Sequence, residues 1–155
     1  MKGTPEVIDL LNELLTNELT AINQYFIHAK MCENWGYGKL ASKVRAESID
    51  EMKHADKVIS RILFLEGVPN LQRLGRLRIG ETVPEQFAAD LALEHAAIGK
   101  LNTWIETCRG LGDHGSLDLL QGILVGEEAH ADWLETQLET INQIGVQHYL
   151  AQQLG

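Results

Sequence analysis

Glu51-Met52-Lys53-His54-Ala55-Asp56 and Glu127-Glu128-Ala129-His130-Ala131-Asp132 are two copies of one hexad, E-x-x-H-A-D, set 76 positions apart. Residues three apart on an α-helix share a face, so each copy presents a carboxylate and an imidazole to one point. Each also has a glutamate 33 positions upstream, Glu18 for the first copy and Glu94 for the second. The same offset of 76 pairs Ala21 with Ala97, Ile22 with Ile98 and Cys32 with Cys108. The chain therefore reads as a duplicated pair of helices.

A single E-x-x-H is common on a solvated helix face. Two copies with matched upstream glutamates are not, and the upstream pair sits among apolar neighbours: Leu15, Leu19, Ala21 and Ile22 around Glu18, and Leu91, Leu93 and Ala97 around Glu94. Four carboxylates drawn into a helix bundle would repel one another and lose hydration, and two divalent cations would cancel their charge. A glutamate from each of two helices plus E-x-x-H from each of two others is the ligand set of di-metal carboxylate bundles. Glu18, Glu51, His54, Glu94, Glu127 and His130 are the expected ligands. Oxygen and imidazole donors without thiolate favour iron or manganese over structural zinc, with iron preferred. Without metal, raised carboxyl pKa values are expected, with protons released when metal binds.

Outward from the hexads, periodicity and capping signals predict helices over about 4–35, 39–66, 83–110 and 114–144, and a short fifth over 146–153. Thr4-Pro5 opens the first. Thr82-Val83-Pro84-Glu85 reads as a capping box in which Thr82 accepts the Glu85 amide and the Glu85 carboxylate returns to Thr82. The stretch between Gly67 and Glu81 lacks helical period, and Leu71, Leu74, Leu77 and Ile79 suggest a packed crossover. The expected fold is all-α: a four-helix bundle of two antiparallel hairpins joined by a long crossover, one domain over residues 1–155.

A net charge of −9 with no basic run argues against a nucleic-acid partner. Cys32 and Cys108 form no C-x-x-C, which suits a reducing compartment. No apolar stretch approaches a membrane span, and the opening residues carry no secretion signal, so a cytoplasmic protein is expected.

Asn17-Glu18-Leu19, Ala21 to Phe26, Glu47 to Asp56, Arg61 to Gly67, Asp132 to Thr136 and Tyr149-Leu150 together resemble the bacterioferritins, the haem-containing ferritin-like di-iron family, over nearly the whole chain. The resemblance implies a homo-oligomeric cage of twenty-four subunits, built from dimers, that oxidises Fe(II) with O2 or H2O2 and stores the ferric mineral. It implies the same six ligands for two irons per subunit, with Glu51 and Glu127 able to bridge. It also implies one haem b per dimer, held between two copies of Met52, with Leu19, Ile22, Asn23, Phe26 and Ile49 lining the pocket. A ferredoxin is the implied partner for iron release.

Departures from the family pattern are Ala46 where a histidine commonly joins Asp50 in binding iron on the inner surface, and Val58 and Arg45 where tyrosines are frequent. Tyr25 and Trp133 remain as aromatics near the metals. Asn17, Glu66 and Asp132 correspond to a polar pore of the family, and His148 lies near its four-fold channel. His28, His95 and His114 have no partnered glutamate and receive no metal role. The competing readings are a di-iron peroxidase without storage, and a haem-carrying subunit of a mixed cage.

Overall fold

The computed structural model describes residues 1–155. Four long helices, α1 (Pro5–Asn34), α2 (Gly38–Phe64), α3 (Val83–Gly110) and α4 (His114–Ile144), are followed by the short α5 (Val146–Ala151), and there is no strand. α1 packs mainly on α2 and α3 on α4, giving two hairpins face to face. This is the expected fold class.

The helix ends follow local chemistry. Thr4 Oγ1 accepts the Val7 amide, with Pro5 at the first helical position, and Asp113 accepts the Ser116 amide. Thr82 accepts the Glu85 amide as expected, but the Glu85 carboxylate accepts from the Glu81 N–H at 2.8 Å and not from Thr82. The chain turns before Thr82, so the Glu81 amide is the one within reach. The two hairpin turns repeat each other at the 76-residue offset. Gly36 and Gly112 both adopt positive φ (87° and 72°), where a side chain would be strained. In both, the third residue past the helix returns its amide to the cysteine carbonyl, Tyr37 to Cys32 and Asp113 to Cys108.

Burial divides the bundle into layers. One apolar cluster takes Leu11, Leu14 and Leu15 of α1, Val58 and Ile62 of α2, Leu101 and Ile105 of α3, and Leu117, Leu120 and Ile123 of α4. The other takes Ala21, Tyr25 and Ala29, then Leu40 and Val44, Phe87, Leu134 and Tyr149. On every long helix the glutamate of the repeated spacing falls in the gap between clusters: Glu18, Glu51, Glu94 and Glu127, each nearly fully buried. Each buried aliphatic or aromatic side chain contributes about 1.5–3 kcal/mol, so the two apolar layers hold the helices while a charged layer is sandwiched between them.

The crossover is held differently from the sequence expectation. Leu71, Leu74, Leu77 and Ile79 are exposed. What anchors the segment is a polar ladder on α1, from side chains spaced four apart. Asn12 accepts the Asn70 amide at 2.8 Å, Thr16 the Arg73 Nε at 3.0 Å and Thr20 the Gly75 amide at 2.8 Å. Gln24 accepts the Arg78 amide at 3.1 Å, and His28 Nε2 the Gly80 amide at 3.0 Å. Four helical residues rise about 6 Å, close to the span of two extended ones, so an extended chain laid along α1 meets a new acceptor every two or three residues. The ladder ends on buried His28, whose Nδ1 donates to Asp90 at 2.9 Å while Gln24 donates to the same oxygen at 2.8 Å.

Candidate metal centre

The i,i+3 pairs of α2 and α4 meet the lone glutamates of α1 and α3 in the buried layer. His54 Nδ1 lies 3.1 Å from Glu127 Oε1, 3.6 Å from Glu18 Oε2 and 3.7 Å from Glu51 Oε2. His130 Nδ1 lies 2.9 Å from Glu94 Oε1. Two ligand groups result, with the donor atoms of each within 4.8 Å of one another: Glu18, Glu51, His54 and Glu127, and Glu51, Glu94 and His130. Glu51 belongs to both, the position of a bridging carboxylate. Glu127 groups with the His54 half only.

Five atoms of the cluster are fully buried and make no well-aligned hydrogen bond: Glu18 Oε2, Glu51 Oε2, His54 Nδ1, Glu94 Oε2 and Glu127 Oε1, the His54 and Glu127 atoms facing each other at 3.1 Å only as an ion pair. Leaving a buried polar atom unsatisfied costs about 1–3 kcal/mol, more for charged groups, and folded proteins seldom gather five. Carboxylate and imidazole lone pairs converging on one point are what a divalent cation satisfies, so the residues fit a pair of metal ions.

The electrostatics of the metal-free layer agree. Burial raises the Glu18 carboxyl, and burial together with the neighbouring Glu18 charge raises Glu51 well above the ordinary range. Burial, with Glu127 alongside, pushes Glu94 up to about 8, and burial pushes Glu127 up to about 7. Burial by itself would depress His54, but the surrounding Glu127, Glu18 and Glu51 overcome it and push the imidazole up to about 12. His130 is likewise raised by Glu94 against its burial. Without metal, the centre would hold its charge balance with protons.

The duplication is imperfect, and its breaks lie on one side. Tyr25 donates its hydroxyl to Glu94 Oε1, and burial drives the phenol pKa well up. Trp133 stacks near the His130 ring, with planes inclined 26°. Glu47, 8% exposed, reaches within 3.7 Å of His130 Nδ1 and pairs with Lys43 at 2.8 Å. At the offset of 76 their counterparts are Leu101, Lys57 and Ile123, which can do none of this. Sequence reasoning missed Glu47. The available signal was its place one turn before Glu51, on the same helix face.

The other positions fall as follows. Met52 is 55% exposed on α2, and with Phe26 and Ile49 it forms an apolar patch beside half-buried Leu19 and Ile22, while Asn23 is exposed. The Arg45 guanidinium lies over the Phe26 ring at 5.7 Å. Val58 is core, and Ala46 and Asp50 are exposed. Asn17 lines a cavity beside the cluster, whereas Glu66 lies 3.6 Å from the N-terminal amine and Asp132 is exposed, so no hydrogen bond or ion pair joins the three within one chain. His95 meets Glu135 at the surface, and His114 and His148 are exposed. Cys32 and Cys108 are buried free thiols, pushed up to about 11 by burial. No helix is long and apolar enough to cross a membrane.

The family description "Ferritin-like domain" matches residues 8–144. Bacterioferritin BfrA of Mycobacterium tuberculosis is 54% identical over 152 residues, covering 98% of this chain and 96% of that protein. Bacterioferritin of Streptomyces coelicolor is 51% identical over 151 residues, covering 97% and 90%. Among solved structures, Mycobacterium tuberculosis bacterioferritin BfrA superposes with a TM-score of 0.99 at 53% identity, covering 100% of this chain and 98% of that one.

Proposed function

The chain belongs to the ferritin-like family and within it to the bacterioferritins, whose role is iron storage, and on that premise we propose that its buried centre is a ferroxidase site feeding a storage cage. The observation that carries this reading is the set of five buried ligand atoms on four helices, none of them in a well-aligned hydrogen bond. Glu18, Glu51, His54 and Glu127 would hold one ferrous ion, and Glu51, Glu94 and His130 the other.

As substrate, two ferrous ions give up one electron each, which reduces O2 to H2O2 or H2O2 to two waters when protons are supplied. The chain's part is to hold the ions as a pair in a dry layer and to manage protons. Glu94 and Glu127 shed theirs as metal arrives, since a bound cation favours the ionised form of carboxyls that burial has raised. Tyr25 donates its hydroxyl to Glu94 and Trp133 stacks near His130, so both aromatics adjoin the centre and help to hold its ligands. Carboxylates and imidazoles bind both oxidation states without the thiolates that would hold soft ions.

Haem b, one per dimer, is assigned to the exposed Met52 of two subunits, on a patch whose apolar side chains suit a flat ring. A twenty-four-subunit assembly and a ferredoxin partner for release complete the reading. Anaerobic ferrous titration followed by air should give a fast phase that saturates at two irons per subunit, matching the two ligand groups. Absence of a break at that ratio overturns the centre. Protein with Met52→Leu should lose the visible haem band while keeping the fast phase, and a retained band would remove Met52 from the haem site. Light scattering that finds a small particle free of haem would favour a di-iron peroxidase.

A further inference from the structure

The crossover carries charge of one sign. Between Glu66 and Glu81 it holds three arginines, Arg73, Arg76 and Arg78, and no acidic residue, in a chain whose net charge is −9. Arg73 is engaged, its Nε donating to Thr16 at 3.0 Å. The ion pairs made by arginines belong to Arg61 and Arg109, so the exposed Arg76 and Arg78 have no acidic partner. Side chains two apart on an extended segment leave it on the same side. Arg76 and Arg78 accordingly line one cavity against α3, while Leu77 and Ile79 between and beyond them are exposed.

That cavity measures about 220 Å³. Ala89, Ala92 and Ala96 of α3 form its wall with Leu93, and Gln24 of α1, 1% exposed, forms its base. No lining residue is acidic and none is a ligand of the metal centre. Gln24 is partly spent: its Oε1 accepts the Arg78 amide at 3.1 Å and its Nε2 donates to Asp90 at 2.8 Å. A side-chain amide nitrogen carries two hydrogens, so one of them has no acceptor in the chain. Every polar group left over in the lining is therefore a donor, and two of the three are cationic. At about 30 Å³ per water in the liquid, the space holds a small oxyanion with part of its hydration shell.

We propose that this cavity is an oxyanion site whose ligand is a phosphate group, held by the Arg76 and Arg78 guanidiniums over the Gln24 amide. A guanidinium offers a planar fork of N–H groups that matches phosphate oxygens two at a time. Two forks on one side suit a dianion with several oxygens, and the spare Gln24 hydrogen takes a further one. A simple carboxylate, with two oxygens and one charge, satisfies a single fork. The donors come from the crossover and from α1, so a bound phosphate adds one more tie to the ladder that fastens the crossover. Both arginines are exposed and their charge is screened by salt, which sets the expected affinity on the order of 1 mM at low ionic strength. Free phosphate and a phosphate monoester present the same dianion to the site.

The test uses the assembled protein freed of iron, so that phosphate has no ferric ion to bind, with inorganic phosphate as the probe. Phosphorus NMR at low ionic strength should show the free resonance broadened by a saturable site. R76Q/R78Q removes both charges, and A92E brings a carboxylate to the wall from an exposed helix position. Each should weaken phosphate about tenfold or more. Acetate at equal concentration should displace little of it. Glycerol 3-phosphate tells the two sources apart: displacement at or below the concentration of phosphate assigns the site to phosphorylated metabolites, and failure to displace assigns it to the free ion. Wild-type affinity in both variants overturns the site, as does acetate that competes as well as phosphate, or wild-type protein that leaves the resonance unchanged. Either variant decides alone if the other does not fold.

Discussion

Glu94→Ala is expected to slow fast ferrous oxidation by about 10² or more and to remove the break at two irons per subunit. Glu94 is 1% exposed and sits where three demands meet. Its Oε1 receives the Tyr25 hydroxyl and faces His130 Nδ1 at 2.9 Å, and its Oε2 is one of the unpartnered buried atoms. Alanine removes a carboxylate from the three-residue group, leaving only Glu51 and His130. A loss of about 3 kcal/mol in holding the second ion corresponds to the 10² factor. Glu94→Gln separates the causes, because an amide oxygen can still accept from Tyr25 but carries no charge to balance a cation. Stopped-flow absorbance of ferric formation at two irons per subunit measures both variants, and an unchanged fast phase in Glu94→Ala removes the centre.

The second large effect is on stability. Metal-free protein should become less stable as pH rises from 5 to 8, and saturating Co(II) should reverse the trend. The folded-state carboxyls of Glu94 (about 8) and Glu127 (about 7) lie above their ordinary value, so the folded chain holds protons that the unfolded chain has released. Stability falls with pH wherever the native state binds more protons, here from about 4.5 up to 7 or 8. His54, pushed up to about 12, acts in the same direction: its share is complete below its ordinary value near 6.5 and is lost as pH climbs toward 12. At 1.36 kcal/mol per unit, Glu94 and Glu127 account for roughly 3–5 kcal/mol each across the window. A chain of this size shifts by about 2–4 °C per kcal/mol, so a fall of 10 °C or more between pH 5 and 8 is expected. Metal competes with those protons, binds better as pH rises, and stabilises the state it binds. Calorimetry of metal-free and loaded protein reads both curves. A metal-free midpoint that is flat or rising from pH 5 to 8 would show that the layer is not held together by protons.

Much of the architecture was legible along the chain because the signals are local. Thr4-Pro5, Thr82, and the glycines at 36 and 112 mark helix ends through contacts within five residues. E-x-x-H at i,i+3 puts two donors on one face by helical geometry alone. The offset of 76 then shows that two such faces exist and that each helix before them carries a matching glutamate in an apolar setting. The exposed crossover leucines illustrate the limit. Their spacing looks like packing, yet the segment is held by Asn12, Thr16, Thr20, Gln24 and His28, whose individual side chains give no hint of an extended partner 50 to 60 residues away.

Helix positions and the doubled E-x-x-H face with its upstream glutamate could be read without coordinates, since each depends on a period of 3.6 residues repeating within one segment. The third dimension alone decided that Glu51 is shared between the ligand groups, that Tyr25 hydrogen-bonds Glu94 across 69 residues, that Glu47 approaches His130, and that Arg76 and Lys100 line a cavity above the carboxylates. Those facts depend on how far each helix slides and rotates against its neighbours. That is set by the sum of many apolar contacts in the two flanking layers, and no short stretch of sequence carries it.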